Sequence, residues 1–127
     1  MSRGTILVIE DQPILRLILE KELVKAGFEV FALESGEGAL KTLEKLTPDL
    51  ILLNIMLTGI DGIEVCRRVR ADSRLERIPV IFLTAKKDPE SRATCLSVGA
   101  NDYVIKPWES EDLILRIGNA IARESHR

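Results

Sequence analysis

The run Leu50-Ile51-Leu52-Leu53 constrains this chain more than any other stretch. An unbroken apolar run leaves no alternation of wet and dry faces, so it reads as a strand buried on both sides. Such strands belong to the middle of a parallel sheet covered by helices on both faces. The run stops at Asn54, an amide. A turn-rich tail follows, Thr58-Gly59-Ile60-Asp61-Gly62. A buried strand that delivers one polar side chain at its C-terminal end and then loops is a common way to build a site on a sheet.

The rest of the chain supplies neighbours for that strand. Thr5–Ile9 is a β-branched-rich run ending at Glu10-Asp11. Gln12-Pro13 opens a helix with proline in its first turn, and Gly27 stops it; Ile14, Leu15, Ile18, Leu23 and Ala26 follow at roughly helical spacing. Phe28–Leu33 reads as a short edge strand and Ser35–Leu46 as a second helix. Ile63, Val65, Cys66 and Val69 mark a third helix that ends in the polar loop Asp72–Arg77. Val80–Leu83 is a strand closed by Thr84. Asp88-Pro89 is an N-cap and first-turn proline opening a helix to Val98. Asp102–Ile105 is a short strand ending at Lys106-Pro107. Ser110 begins a last helix with Leu113, Ile114, Ile117 and Ile121 inward.

Strands alternating with helices predict an α/β fold with right-handed crossovers: a five-stranded parallel doubly wound sheet of order 2-1-3-4-5 with five helices, flavodoxin-like. The length of 127 residues suits a single domain, 1–127, with Arg123–Arg127 as the start of a linker. Charged residues make up 30% and the net charge is -2, so nothing points to an electrostatic grip on nucleic acid or an anionic membrane. No run is long enough to span a bilayer, and MSRGTILVIED is not a signal peptide, so a cytoplasmic protein is expected. Cys66 and Cys95 lack metal-ligand spacing and read as small core hydrophobes. The only histidine, His126, reads as a solvated tail residue.

The C-terminal ends of the strands carry Glu10 and Asp11, Asn54, Thr84 and Lys106. In the predicted order they converge at the switch point, where doubly wound sheets bind ligands. Two carboxylates and an amide oxygen are hard oxygen ligands of the kind Mg²⁺ takes. A hydroxyl and an ammonium opposite suit the oxygens of a phosphoryl group.

With these residues in view, the chain resembles the receiver domain of two-component response regulators (CheY-like) from about Thr5 to Ala122. The resemblance rests on Glu10-Asp11, on PDLILLNIMLTGIDG from Pro48 to Gly62, on VIFLTA from Val80 to Ala85, and on GANDYVIKP from Gly99 to Pro107. It implies Mg²⁺-dependent transfer of a phosphoryl group from a sensor kinase's histidine to an aspartate. It further implies that Glu10, Asp11, Asn54 and the Met56 backbone carbonyl face the metal. Thr84 would hold the phosphoryl group and Lys106 would pair with it. Tyr103 matches the aromatic switch, and the Lys106-Pro107 bond is expected cis.

One residue departs from the family. Asn54 stands where the phosphoacceptor aspartate belongs. An amide oxygen is a poor nucleophile and cannot become an acyl phosphate. The site also loses a negative charge, so weakened Mg²⁺ binding is expected and Lys106 loses a salt-bridge partner. The chain is therefore expected to be a non-phosphorylatable, partner-binding switch without enzymatic activity. Either it is a natural degenerate receiver, or it is an Asp→Asn form of an otherwise normal phosphoprotein. Thr58 and Thr84 are disfavoured as substitute acceptors. Expected partners are a sensor histidine kinase or phosphotransfer protein, a downstream protein or output domain on the 89–123 face, and a second copy in a homodimer. A small flavodoxin-like ligand carrier is the alternative of another class. Ser35-Gly36-Glu37-Gly38 imitates a phosphate-binding turn, but Lys41 stands where the third glycine would be. Those glycines therefore read as an ordinary turn, and Trp108 reads as a partly buried loop anchor.

Overall fold

The computed structural model describes residues 2–125, and His126 lies outside them. Within them the elements alternate as predicted: β1 (Thr5–Ile9), α1 (Pro13–Lys25), β2 (Glu29–Leu33), α2 (Gly36–Leu43), β3 (Leu50–Leu53), α3 (Gly62–Ala71), β4 (Val80–Thr84), α4 (Pro89–Ser97), β5 (Asp102–Ile105) and α5 (Ser110–Ser125). The strands form one sheet of order β2-β1-β3-β4-β5, and every pairing is parallel. β3 is buried along its whole length, as its unbroken apolar run requires.

Strand alternation divides the core into two layers. Leu7, Ile9, Ile51, Leu53, Val80 and Phe82 face α2, α3 and α4, meeting Leu43, Val65, Cys66, Val69 and Cys95. Ile6, Val8, Leu50, Leu52, Ile81 and Leu83 face α1 and α5, meeting Leu19, Leu23, Leu113 and Ile117. Cys66 and Cys95 are free and buried, acting as small apolar groups. Burial pushes the Cys95 thiol up to about 11, which suits a packing role.

Three local details go beyond the sequence pattern. Of the apolar residues spaced along α1, Leu23 is buried together with Leu19, whereas Ile14 and Ile18 are 74% and 39% exposed. Both pairs are four residues apart, so helical spacing alone does not choose between these neighbouring stripes. α2 ends at Leu43 rather than Leu46, because Glu44 N–H and Lys45 N–H bond three residues back, to Lys41 O and Thr42 O, and tighten the last turn. Arg123–Ser125, expected as the start of a linker, are the last residues of α5.

Candidate functional site

The backbone ladder runs one step past the strands and fixes the polar residues that follow them. Glu10 N–H donates to Leu33 O (3.0 Å), Asn54 N–H to Ile9 O (3.1 Å) and Lys106 N–H to Thr84 O (2.8 Å). These residues are thus positioned by the sheet itself. α3 closes over the same spot. A Cβ at Gly62 would lie 2.0 Å from Asn54 O, so only glycine permits this approach.

Asp11, Gln12, Asn54, Met56, Thr84, Ala85 and Lys106 line one open cleft of about 260 Å³. Glu10 lies beneath it, 1% exposed. Lys106 Nζ is 2.6 Å from Glu10 Oε1, and the two side chains are 11% and 2% exposed. Asn54 Nδ2 stands 3.5 Å from both Glu10 carboxylate oxygens. Gln12 N–H donates to Glu10 Oε2 at 3.1 Å. Lys106 thus forms its ion pair with Glu10 and none with the neutral Asn54.

Thr84 is buried, and its Oγ1 accepts from Lys86 N–H at a long 3.4 Å. Tyr103, on β5, is 5% exposed, and its hydroxyl donates to Lys86 O at 2.7 Å. Burial pushes the Tyr103 phenol above its usual range. One loop residue, Lys86, thus touches both Thr84 and Tyr103. The Lys106-Pro107 bond is cis. Trp108 is half-buried, and its indole N–H donates to Glu22 Oε1 at 3.1 Å, anchoring the loop before α5 to α1.

Arg16 was not singled out by its sequence position. Its Nη1 donates to Glu10 O (2.9 Å) and Asp11 O (3.5 Å), tying the acidic pair's backbone to α1. A cation close to a helix N-terminus opposes the helix dipole, and that anomaly is a signal the sequence did contain. The imitation phosphate turn is resolved by packing. Ser35 caps α2 through Gly38 N–H (3.0 Å), and a Cβ at Gly36 would meet Ile60 Cγ1 at 2.7 Å. Gly36 is small for the sake of a neighbouring side chain.

The donor set agrees with Mg²⁺ in kind: two carboxylates, an amide oxygen and a backbone carbonyl. Asn54 contributes a neutral amide to that set, and Glu10 Oε1 lies 2.6 Å from the Lys106 ammonium.

A doubly wound sheet with acids, an amide, a hydroxyl and a lysine gathered at its switch point defines a signalling domain of the receiver class. The chain belongs to the response regulator receiver domain family, whose model matches residues 6–118. It is 44% identical to the transcriptional regulatory protein AfsQ1 of Streptomyces coelicolor, over 97% of this chain and 53% of that protein. It is 40% identical to the phosphate regulon transcriptional regulatory protein PhoB of Rhizobium meliloti, over 93% of this chain and 52% of that one. The chain thus spans about half the length of these regulators. Among solved structures it resembles the receiver domain of the sensor histidine kinase PA1611 from Pseudomonas aeruginosa, with a TM-score of 0.87 and 32% identity over 94% of this chain and 98% of that one; that structure has a magnesium ion coordinated in its active-site cleft. Receiver domains of response regulators are signalling modules. No helix among the described residues is long and apolar enough to cross a membrane.

Proposed function

We propose that this receiver does not accept a phosphoryl group at its usual position and works in phosphorelay signalling as a partner-binding switch. The observation that carries the reading is Asn54. It occupies the C-terminal end of β3, 7% exposed, between Glu10 and the cleft, and it offers a neutral amide where the chemistry needs a carboxylate nucleophile. Glu10, Asp11, Asn54 and the Met56 carbonyl are the metal-facing donors in this reading, and Mg²⁺ binds weakly because one charge is missing. Thr84 and Lys106 flank the position of a phosphoryl group. The domain is cytoplasmic and has no enzymatic turnover of its own.

Tyr103 links the cleft to the face formed by residues 89–123, where an output domain, a downstream protein or a second copy docks. Its bond to Lys86, beside Thr84, supports that coupling. A sensor kinase or phosphotransfer protein is the upstream partner. The regulators it resembles carry transcriptional names and about twice the length, which favours a DNA-binding output outside this domain. A net charge of -2 favours no direct grip on DNA by the receiver itself. The retained Thr84 and Lys106 favour a second reading, an Asp→Asn form of an otherwise working phosphoacceptor.

The test is intact mass after incubation with a small acyl-phosphate donor and Mg²⁺, on this chain and on Asn54→Asp. The expected result is one phosphoryl group on the variant and none on the unchanged chain. A gain on the unchanged chain contradicts the proposal. A failure of both removes the second reading and leaves a pure binding module.

A further inference from the structure

The two flanks of α5 differ in how their charges are met. On the flank toward β5, Arg116 pairs with Asp102 and with Asp112, each at 2.9 Å, so these charges are settled within the chain. On the other flank lies an open groove of about 450 Å³, lined by Arg3, Glu111, Ile114, Leu115, Gly118 and Asn119. Leu115, in the middle of it, is 62% exposed. Glu111, Leu115, Gly118 and Ala122 recur at helical spacing and form one stripe along α5. Arg3 and Glu111 carry opposite charges at the two ends of the groove. Arg3 is held by neutral groups, Ala26 O at 3.2 Å and the Phe28 ring at 4.6 Å to the centroid, and keeps its full charge. Among the described residues neither Arg3 nor Glu111 has an ion-pair partner. Within one copy they stand apart: Arg3 Nη2 lies 3.1 Å from where a Gly118 Cβ would be, and Gly118 is two turns of helix, about 10 Å, from Glu111.

We propose that this stripe of α5 is a self-association surface, on which a second copy of the chain packs its own α5 antiparallel and closes two Glu111–Arg3 ion pairs. A two-fold axis through Leu115 brings residues equally far before and after Leu115 face to face. Glu111 of each copy then comes opposite Asn119 of the other, beside Arg3 of that copy. Leu115 meets its own counterpart on the axis, and Gly118, with no side chain, lets the helices approach closely. The pattern is self-complementary, because its two unpaired charges are opposite and lie on either side of the exposed leucine. One helix pair buries less than a standard interface, so the dimer is weak and concentration-dependent. The inference rests on the reading of residues 89–123 as a docking face, and narrows it to one flank of α5 and one partner. It does not rest on the chemistry of Asn54.

The test is sedimentation velocity from micromolar to millimolar protein. It uses the unchanged chain, Leu115→Lys, Arg3→Glu, Glu111→Arg and the double charge reversal. The unchanged chain passes reversibly from monomer to dimer across this range. Leu115→Lys sets two like charges on the axis and abolishes the dimer. Each single reversal weakens association by about tenfold or more, because it puts like charges at both symmetric contacts. Arg3→Glu combined with Glu111→Arg restores the pairs with their signs exchanged and returns the dissociation constant to within about threefold of the unchanged chain. A chain that stays monomeric, a dimer that survives Leu115→Lys, or a double reversal no better than the single ones overturns the proposal. Should Arg3→Glu fail to fold through loss of its contact with Phe28, Leu115→Lys and Glu111→Arg decide, since both positions are exposed. A strict monomer would sink this inference and leave the reading of Asn54 intact; phosphoryl gain by the unchanged chain would do the reverse, so the two failures are distinguishable.

Discussion

The two ends of the sheet are built on opposite plans. At the N-terminal ends of the strands, polar groups are satisfied at short range. Thr5 N–H donates to Asp49 Oδ2 at 2.7 Å and Val80 N–H to Asn101 Oδ1 at 2.8 Å. Arg70 donates to Gly99 O, Glu76 O, Ile78 O and Asn101 Oδ1, fastening the end of α3 to β4 and to the turn before β5. Arg3 stacks over the Phe28 ring with 4.6 Å to the centroid and donates to Ala26 O. At the C-terminal ends Glu10 is held by Lys106 at 2.6 Å and Tyr103 by Lys86 O at 2.7 Å, but the side chains of Asn54 and Thr84, which line the cleft, make contacts of only 3.5 and 3.4 Å. Long contacts are weak ones. One end is therefore saturated and structural. The other holds polar groups with bonding capacity in reserve, as a binding site must.

Four variants or conditions would break or sharpen this contrast. The largest effect is expected where the cleft end depends on close packing. Gly62→Ala drives a Cβ into Asn54 O and should cost about 3 kcal/mol or more of unfolding free energy in urea, and should move the loop after β3. A cost below about 1 kcal/mol would mean that α3 retreats freely and that the cleft is softer than described. Next comes the saturated end. Arg70→Ala removes several bonds to backbone carbonyls and should cost about 2 kcal/mol, without changing metal affinity at the distant cleft. A loss of metal affinity would show that the two ends are coupled.

Tyr103→Phe deletes only the hydroxyl bond to Lys86 O. About 1 kcal/mol of stability should be lost, with faster amide exchange confined to residues 85–88. Exchange unchanged there would deny Tyr103 its hold on the loop. The smallest effect is one of pH. The folded Cys95 thiol holds its proton up to about 11, against an ordinary value of 9.0, through burial. Its raised value contributes stability that is fully present below pH 9 and is lost as pH rises toward 11. The urea midpoint should fall across that window, and Cys95→Ala should flatten the fall.

The sequence makes the sheet legible because each apolar run is strand-length and each ends in a polar residue. Leu50–Leu53 points to a sheet covered on both faces, and the βα rhythm to a parallel doubly wound one; in the order 2-1-3-4-5, which the structure has, Glu10, Asp11, Asn54, Thr84 and Lys106 stand at the same end of the sheet. What it hides is orientation within an element and pairing across the sheet. Ile14 and Ile18 satisfy helical spacing as well as Leu19 and Leu23 do, and only the seating of α1 on β1 chooses between the stripes. The Lys106–Glu10 bond joins residues at opposite ends of the chain, and no local pattern announces it. Arg70 gives no signal either, since its partners are backbone carbonyls that every sequence has.

The central claim is that position 54 sits in a site built for charge that this chain no longer supplies. The most direct measurement is the unfolding free energy of the unchanged protein and of Asn54→Asp, with and without Mg²⁺. A third carboxylate beside Glu10 and Asp11 should cost the metal-free variant about 1–2 kcal/mol through like-charge repulsion. Mg²⁺ should restore that loss in the variant and leave the unchanged chain almost unmoved. An Asn54→Asp protein as stable as its parent without metal, and unresponsive to it, would contradict the account.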